Sequence, residues 1–111
     1  MFVVLILTKM RSKRTFNEKI YNKLKEVPFG KVVSYKILAE SINSKAYRAV
    51  GSCMRRNKYP DKIPCFKVVR NDGDIGKYSL GIKEKIKRLN KEGIIVKNNK
   101  VDLDKFGFKF D

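Results

Sequence analysis

Helix punctuation constrains this chain more than any other feature. Between residues 15 and 57 the apolar periodicity is cut into short runs, each opened by a hydroxyl side chain. Thr15-Phe16-Asn17-Glu18 fits a capping box, with Thr15 as N-cap and Glu18 reaching back from N3. Phe16, Ile20, Leu24 and Val27 follow at helical spacing, which predicts an amphipathic helix from Phe16 to Glu26. Pro28-Phe29-Gly30 ends it, and Lys31 to Val33 reads as a short extended piece. Ser34 caps a second helix from Tyr35 to Ile42, with Ile37, Leu38 and Ile42 on one face. Asn43-Ser44 breaks that helix, and Ser44 caps a third from Lys45 to Arg56. Two short helices across a tight polar turn fit a helix-turn-helix, and equally an ordinary helical hairpin.

The second half is punctuated differently. Val68 to Arg70 runs into Asn71-Asp72-Gly73-Asp74, a strong turn signal. Ile82, Ile86 and Leu89 mark a last helix, ended by Gly93 at C′, with Lys83, Lys85, Lys87, Arg88 and Lys91 on its outer face. Ile94 to Lys97 and Lys100 to Leu103 form a small hairpin across Asn98-Asn99. The tail from Lys105 to Asp111 alternates charge and phenylalanine, as one more strand would. At the other end Met10 to Arg14 is a basic connector. Phe2 to Leu7 reads as a strand, because its positive charges follow it and no small-residue cleavage site does. The expectation is one α+β domain over residues 1–111, mainly helical, with a winged helix-turn-helix-like core and short peripheral strands.

Charge points to the partner. There are 27 Lys plus Arg against 11 Asp plus Glu, a net charge of +16. A charged thermophile surface would mix both signs in ion-pair networks. A one-sided excess asks for a polyanion, with nucleic acid first and an anionic membrane surface second. No stretch is long enough to span a membrane. The chain has two cysteines and no histidine. Two thiols make no disulfide framework, so both are expected to be reduced and the protein to be cytoplasmic. Without histidine there is no zinc site of ordinary spacing, and the commonest general base is missing.

Two stretches can carry chemistry. In the third helix Ala46, Ala49, Val50, Cys53 and Met54 turn toward the core, while Arg48, Ser52 and Arg55 share another face. Gly51 sits mid-helix at a cost of ~1 kcal/mol relative to alanine, which implies close approach of another backbone or of a neighbouring helix. Ala49, Gly51 and Ser52 give this helix a slim profile that suits a narrow groove. The second stretch is Ile63-Pro64-Cys65-Phe66-Lys67-Val68-Val69, in which proline presents a cysteine from a stiff turn. Cys65 is then either a buried structural thiol or a reactive one. The polar loop Ile75-Gly76-Lys77-Tyr78-Ser79 is placed to line a pocket near it.

These pieces resemble a known family. Val27-Pro28-Phe29-Gly30-Lys31-Val32-Val33-Ser34-Tyr35 comes first, then Arg48-Ala49-Val50-Gly51 with Met54-Arg55 and Asn57. Ile63-Pro64-Cys65 with Val68-Val69 follows, then Gly73 through Gly76, Tyr78, and Ser79 to Gly81. In order and near spacing they look like the DNA-binding and catalytic domain of the 6-O-methylguanine-DNA methyltransferases, over residues 15–93. The separate N-terminal domain of many members is expected to be absent. The resemblance implies that the Cys65 thiolate takes the alkyl group from guanine oxygen-6 and keeps it, stoichiometrically, with no metal and no cofactor. It makes Arg48 the finger that replaces an extruded nucleotide, and Tyr35 the residue that presses on the adjacent phosphate. Tyr78 would donate a proton toward the leaving guanine, Ser79 would contact its oxygen-6, and Asn57 would organise the turn around the thiol. Ser34, Ala49, Gly51, Ser52 and Arg55 would join Arg48 on the DNA, and Val68 and Met54 would join Tyr78 and Ser79 around the base. The partner implied is double-stranded DNA containing alkylated guanine, bound by a monomer through its minor groove.

The chain also departs from that pattern. Phe66 and Lys67 stand where the family has histidine and arginine. The family's relay runs from cysteine through water to that histidine and a glutamate. Glu92 matches the glutamate, but Phe66 cannot carry a proton. That leaves Lys67 and the surrounding cations to favour the thiolate, and Phe66→His as the change expected to restore a base oriented by Glu92. Tyr47 is bulky where the family's groove helix is small. The alternative function is a non-catalytic, alkyltransferase-like protein that binds the lesion and recruits other repair factors; in such proteins the cysteine is usually replaced. A plain helix-turn-helix regulator would leave Pro64-Cys65 and Gly76-Lys77-Tyr78 without a purpose.

Overall fold

The computed structural model describes residues 15–110. The expected strand from Phe2 to Leu7 and the connector from Met10 to Arg14 lie outside the described residues, as does Asp111. Helix α1 spans Phe16–Leu24, and its N-cap Thr15 accepts the Glu18 amide at 3.2 Å. It ends short of Glu26 because the Glu26 and Val27 amides tighten onto the Lys23 and Leu24 carbonyls, three residues back. Strand β1 is Val33–Ser34, and α2 follows at Tyr35–Glu40, capped by the Ser34 hydroxyl 3.1 Å from the Ile37 amide. The chain leaves α2 before Ile42, through Asn43 at a φ of 58°.

Helix α3 spans Tyr47–Arg55 and starts later than expected. Ser44 does not cap it. Its hydroxyl closes a local turn on the Ala46 amide at 3.0 Å, and Ala46 takes the N-cap position with no side-chain bond. A single 3₁₀ turn over Cys65–Lys67 leads into β2, Val68–Val69. Helix α4 is Ile82–Lys91, and Gly93 follows at a φ of 80°, where a side chain would be strained. The hairpin is β3, Val96–Lys97, and β4, Lys100–Val101. Asn98 and Asn99 turn between them at φ values of 51° and 59°, the geometry that suits a two-residue loop.

The expected C-terminal strand is corrected to a short helix, α5, over Leu103–Phe106. Asp102 decides this: its Oδ1 accepts the Asp104 amide at 3.0 Å and the Lys105 amide at 3.4 Å, which starts a helical turn. Strand character survives only as an isolated parallel bridge from Gly107 to Val32. Phe108 and Phe110 then meet edge to face, 5.1 Å between centroids, against the α1–α2 side of the core.

Strands β1 and β2 pair in parallel, Val33 opposite Val68 and Ser34 opposite Val69. Side chains alternate along a strand, so this pair divides the interior. Val33 and Val68 face one core with Ile20, Leu24, Leu38, Val50 and Ile63. Val32 and Val69 face a second core with Phe66, Ile75, Leu89, Ile94 and Val101. Cys65 packs with the first and Phe66 with the second. The architecture is α+β, and the pair of short strands holds the cysteine turn between two packed regions.

Lys85 is a further correction. It was expected on the outer face of α4 and is instead 1% exposed. It lies four residues before buried Leu89, on the helix's inner face. Its ammonium donates to the carbonyls of Val68 at 2.8 Å and Lys77 at 3.3 Å, and to that of Ile75. Burial pushes its pKa down to about 8, against the pull of Cys65 and Asp74.

Candidate active site

Pro64 sets the start of the 3₁₀ turn, and the Cys65 amide donates to the Ile63 carbonyl at 2.8 Å. Cys65 is therefore fixed by backbone geometry and is 3% exposed. Its sulfur accepts from the Asn57 Nδ2 at 3.2 Å. The same amide group donates to the Ile63 carbonyl at 2.9 Å, and its oxygen accepts the Tyr59 amide at 2.9 Å. Asn57 is buried, so its amide cannot trade these partners for water. The Asn57 amide therefore fixes where the sulfur sits as well as the turn around it.

The thiol opens onto a cavity of about 690 Å³. Helix α3 supplies one wall, with Arg48, Gly51, Ser52, Met54 and Arg55 lining it. Val50, Cys53 and Met54 are the buried side of α3, and they aim the arginine face outward. Ala46 is exposed and Ala49 half-buried, so neither sits in the core as expected. Among the described residues, apart from the helix's own backbone and the adjoining residues, no atom lies within 4 Å of where a Gly51 Cβ would stand. The close approach expected at Gly51 is thus not to another described part of this chain, and the space it leaves is open among the described residues. Tyr47, 37% exposed, also lines the cavity.

The opposite wall is the loop after β2, with Lys77, Tyr78 and Ser79. The Tyr78 hydroxyl is buried, with no hydrogen-bond partner among the described residues. Desolvation, then the nearby Cys65 sulfur, push its pKa up to about 12, so it stays a proton donor at neutral pH. Tyr35 completes this side. Burial raises its phenol, and the Arg70 cation partly offsets that.

Other candidate residues stand elsewhere. Ser34 is buried as the α2 cap, and Val68 lies wholly in the first core. Glu92 does not meet Cys65. Its Oε1 pairs with the Lys67 ammonium at 2.9 Å and accepts the Gly30 amide at 2.9 Å. Lys67 is 3% exposed and also donates to the Pro28 carbonyl at 2.8 Å, so its charge is spent on the Pro28-Phe29-Gly30 turn. The cation expected to favour the thiolate is therefore already paired, and Phe66 sits in the second core, with Glu92 engaged elsewhere. Two residues were not anticipated: Lys85, whose charge senses the thiol, and Arg70, on the cavity wall. The pattern did carry a signal for Lys85, since it interrupts the apolar stripe of Ile82, Ile86 and Leu89. Among the described residues no group of three or more potential ligands could hold a metal ion.

Comparison with known proteins agrees with this geometry. The family model for the DNA-binding domain of 6-O-methylguanine DNA methyltransferase matches residues 15–94. A bifunctional methyltransferase/endonuclease of Picrophilus torridus is 43% identical over 90 residues, 80% of this chain and 30% of that protein. A methylated-DNA--protein-cysteine methyltransferase of Thermococcus kodakarensis is 48% identical over 80 residues, 71% of this chain and 45% of that one. The chain thus spans less than half the length of these relatives. The crystal structure of S. pombe Atl1 in complex with damaged DNA containing O6-carboxymethylguanine superposes with a TM-score of 0.79 at 27% identity. It covers 87% of this chain and 99% of that one. With residues 15–94 matched and the Pro64-Cys65 turn facing an arginine-bearing helix across one cavity, the chain belongs to the 6-O-methylguanine DNA methyltransferase family, as its DNA-binding domain.

Proposed function

We propose that the protein is a stoichiometric DNA repair protein for 6-O-alkylguanine. The target carbon is stacked inside duplex DNA, so the base must be extruded to be reached. Helix α3 enters the minor groove, where Gly51 and Ser52 keep it slim and Arg48 fills the place of the extruded nucleotide. Arg55 and Tyr35 hold the backbone. The base enters the cavity between Met54 and the Tyr78-Ser79 loop. Cys65, its proton released to water, attacks the alkyl carbon as the thiolate: a carbon–sulfur bond forms, the bond from carbon to oxygen-6 breaks, and its electron pair leaves with the guanine. Tyr78, protonated at neutral pH, donates toward that guanine as charge develops, and Ser79 contacts oxygen-6. Cys65 is not regenerated, so each molecule acts once, and it works as a monomer.

The observation that carries this reading is the shared cavity: Cys65 lines the same hollow as Arg48, Gly51 and Arg55. A purely structural thiol would need no such opening. The test is intact mass after mixing with a duplex containing 6-O-methylguanine. The expected result is a gain of one methyl group at Cys65, lost in Cys65→Ser while DNA binding persists. Repeated turnover, or methylation at Cys53, would overturn the assignment. The second reading, a lesion binder that recruits other repair factors, is favoured by Phe66, which offers no base beside the thiol. Tight lesion-specific binding with no gain in mass would establish it instead.

A further inference from the structure

One cation on the cavity wall has no part in the reaction just described. Arg70 directly follows β2, and its backbone closes the next turn, donating to the Asp74 carbonyl at 2.8 Å and accepting the Gly73 amide at 2.9 Å. Its side chain lies across Gly76. A Cβ at Gly76 would stand 3.7 Å from the Arg70 Nε and 3.8 Å from the Tyr35 hydroxyl, so guanidinium and phenol meet over one glycine. Gly76 has a φ of 68° and is buried, which leaves that surface flat and without a side chain. Among the described residues no carboxylate forms an ion pair with Arg70. The nearby Asp74 carboxylate accepts the Gly76 amide at 2.8 Å.

Two donors converge here, one charged and one neutral, with no acceptor supplied. An anion with two oxygens set apart fits them, and a phosphodiester is such a group. Depth selects the anion's place. Arg70 is exposed, whereas Cys65 is buried, so Arg70 stands at the mouth and the thiol at the floor. An alkyl group in reach of the sulfur lies below Arg70, while the sugar-phosphate chain of an extruded nucleotide must pass the mouth. We propose that Arg70 and Tyr35 together clamp the phosphodiester flanking the extruded nucleotide, which makes Arg70 a positioning residue for damaged duplex. This rests on the base-extrusion reading above.

Arg70→Gln keeps the backbone turn and removes the charge from an exposed side chain, so folding is not at issue. Binding is measured to a duplex with a single 6-O-methylguanine, and to the same duplex with either flanking phosphate replaced by a neutral methylphosphonate. Wild type should lose about fivefold in affinity on one of the neutralised duplexes, as expected for an exposed charge-assisted bond. Arg70→Gln should lose the same factor on the normal duplex and nothing more on that neutralised one. If variant and wild type lose equally on both neutralised duplexes, the clamp is overturned. It is overturned too if Arg70→Gln discriminates only against a carboxylate-bearing adduct, since Arg70 would then read the lesion. If wild type binds damaged and undamaged duplex alike, the extrusion reading fails first, and that result is distinct from the other two.

Discussion

Adjacent residues 65 and 66 leave one 3₁₀ turn for different cores, and this decides what the missing histidine means. The Cys65 sulfur faces Asn57 and the cavity, while Phe66 packs with Val32, Val69 and Leu89. Glu92 already holds Lys67 and the Gly30 amide. An imidazole in place of the phenyl ring would be buried among apolar side chains with its expected carboxylate partner engaged. Phe66→His should therefore lower stability by about 2 kcal/mol, through lost packing and an unpaired polar ring. The single-turnover rate should not rise. A urea melt and a quenched-flow alkylation assay check both halves. A faster variant would mean that water and an acid reach this core, and that the relay can be rebuilt in place. Reading residues alone suggested the opposite outcome, because spacing along a chain does not reveal which side of a turn a side chain leaves from.

At the scale of elements, the legible parts were those whose signals are local. The Thr15 and Ser34 caps, the Gly93 stop and the Asn98-Asn99 turn each depend on a few neighbouring residues, and each stands where expected. Ser44 did not cap α3, since a hydroxyl can satisfy a nearer amide in a turn of its own. Lys85 was placed outside because lysines usually are, yet its burial depends on three carbonyls from elements remote in sequence. This lysine ties α4 to β2 and to the loop that carries Tyr78. Lys85→Met would leave those carbonyls unpaired and should destabilise the protein by about 2 kcal/mol at pH 7. The pH dependence gives a sharper check. Its folded pKa, about 8, lies below the ordinary 10.5. Between those values the unfolded chain binds more protons than the folded one, so stability rises with pH. Wild type should gain stability from pH 8 toward pH 10, and Lys85→Met should lack that gain. Equal slopes in denaturant melts across this range would mean that Lys85 is not the buried titrating group.

For the molecule as a whole, the net charge of +16 matters through where it is left unpaired. Two buried pairings, Lys67 with Glu92 and Lys85 with its carbonyls, take cations away from the surface. The cavity shows the reverse: Arg48, Arg55, Arg70 and Lys77 line it, and among the described residues no carboxylate does. Charge of one sign around a concave face concentrates potential there and draws a polyanion to it. Each phosphate neutralised on duplex DNA contributes about −0.9 to the slope of log affinity against log salt. With Arg48 in the base stack, Arg55, Arg70 and Lys77 on phosphates predict a slope of roughly −3, and more where the remaining lysines also reach the backbone. Titrations at several salt concentrations measure it directly. Arg70→Gln should shift the slope by about one phosphate on damaged duplex, whereas Lys83→Gln, on the exposed side of α4, should leave it almost unchanged. Should the slope prove shallower than about −2, or respond equally to both substitutions, the charge would be acting as a diffuse coat, and the cavity's cations would not be the contacts that hold the DNA.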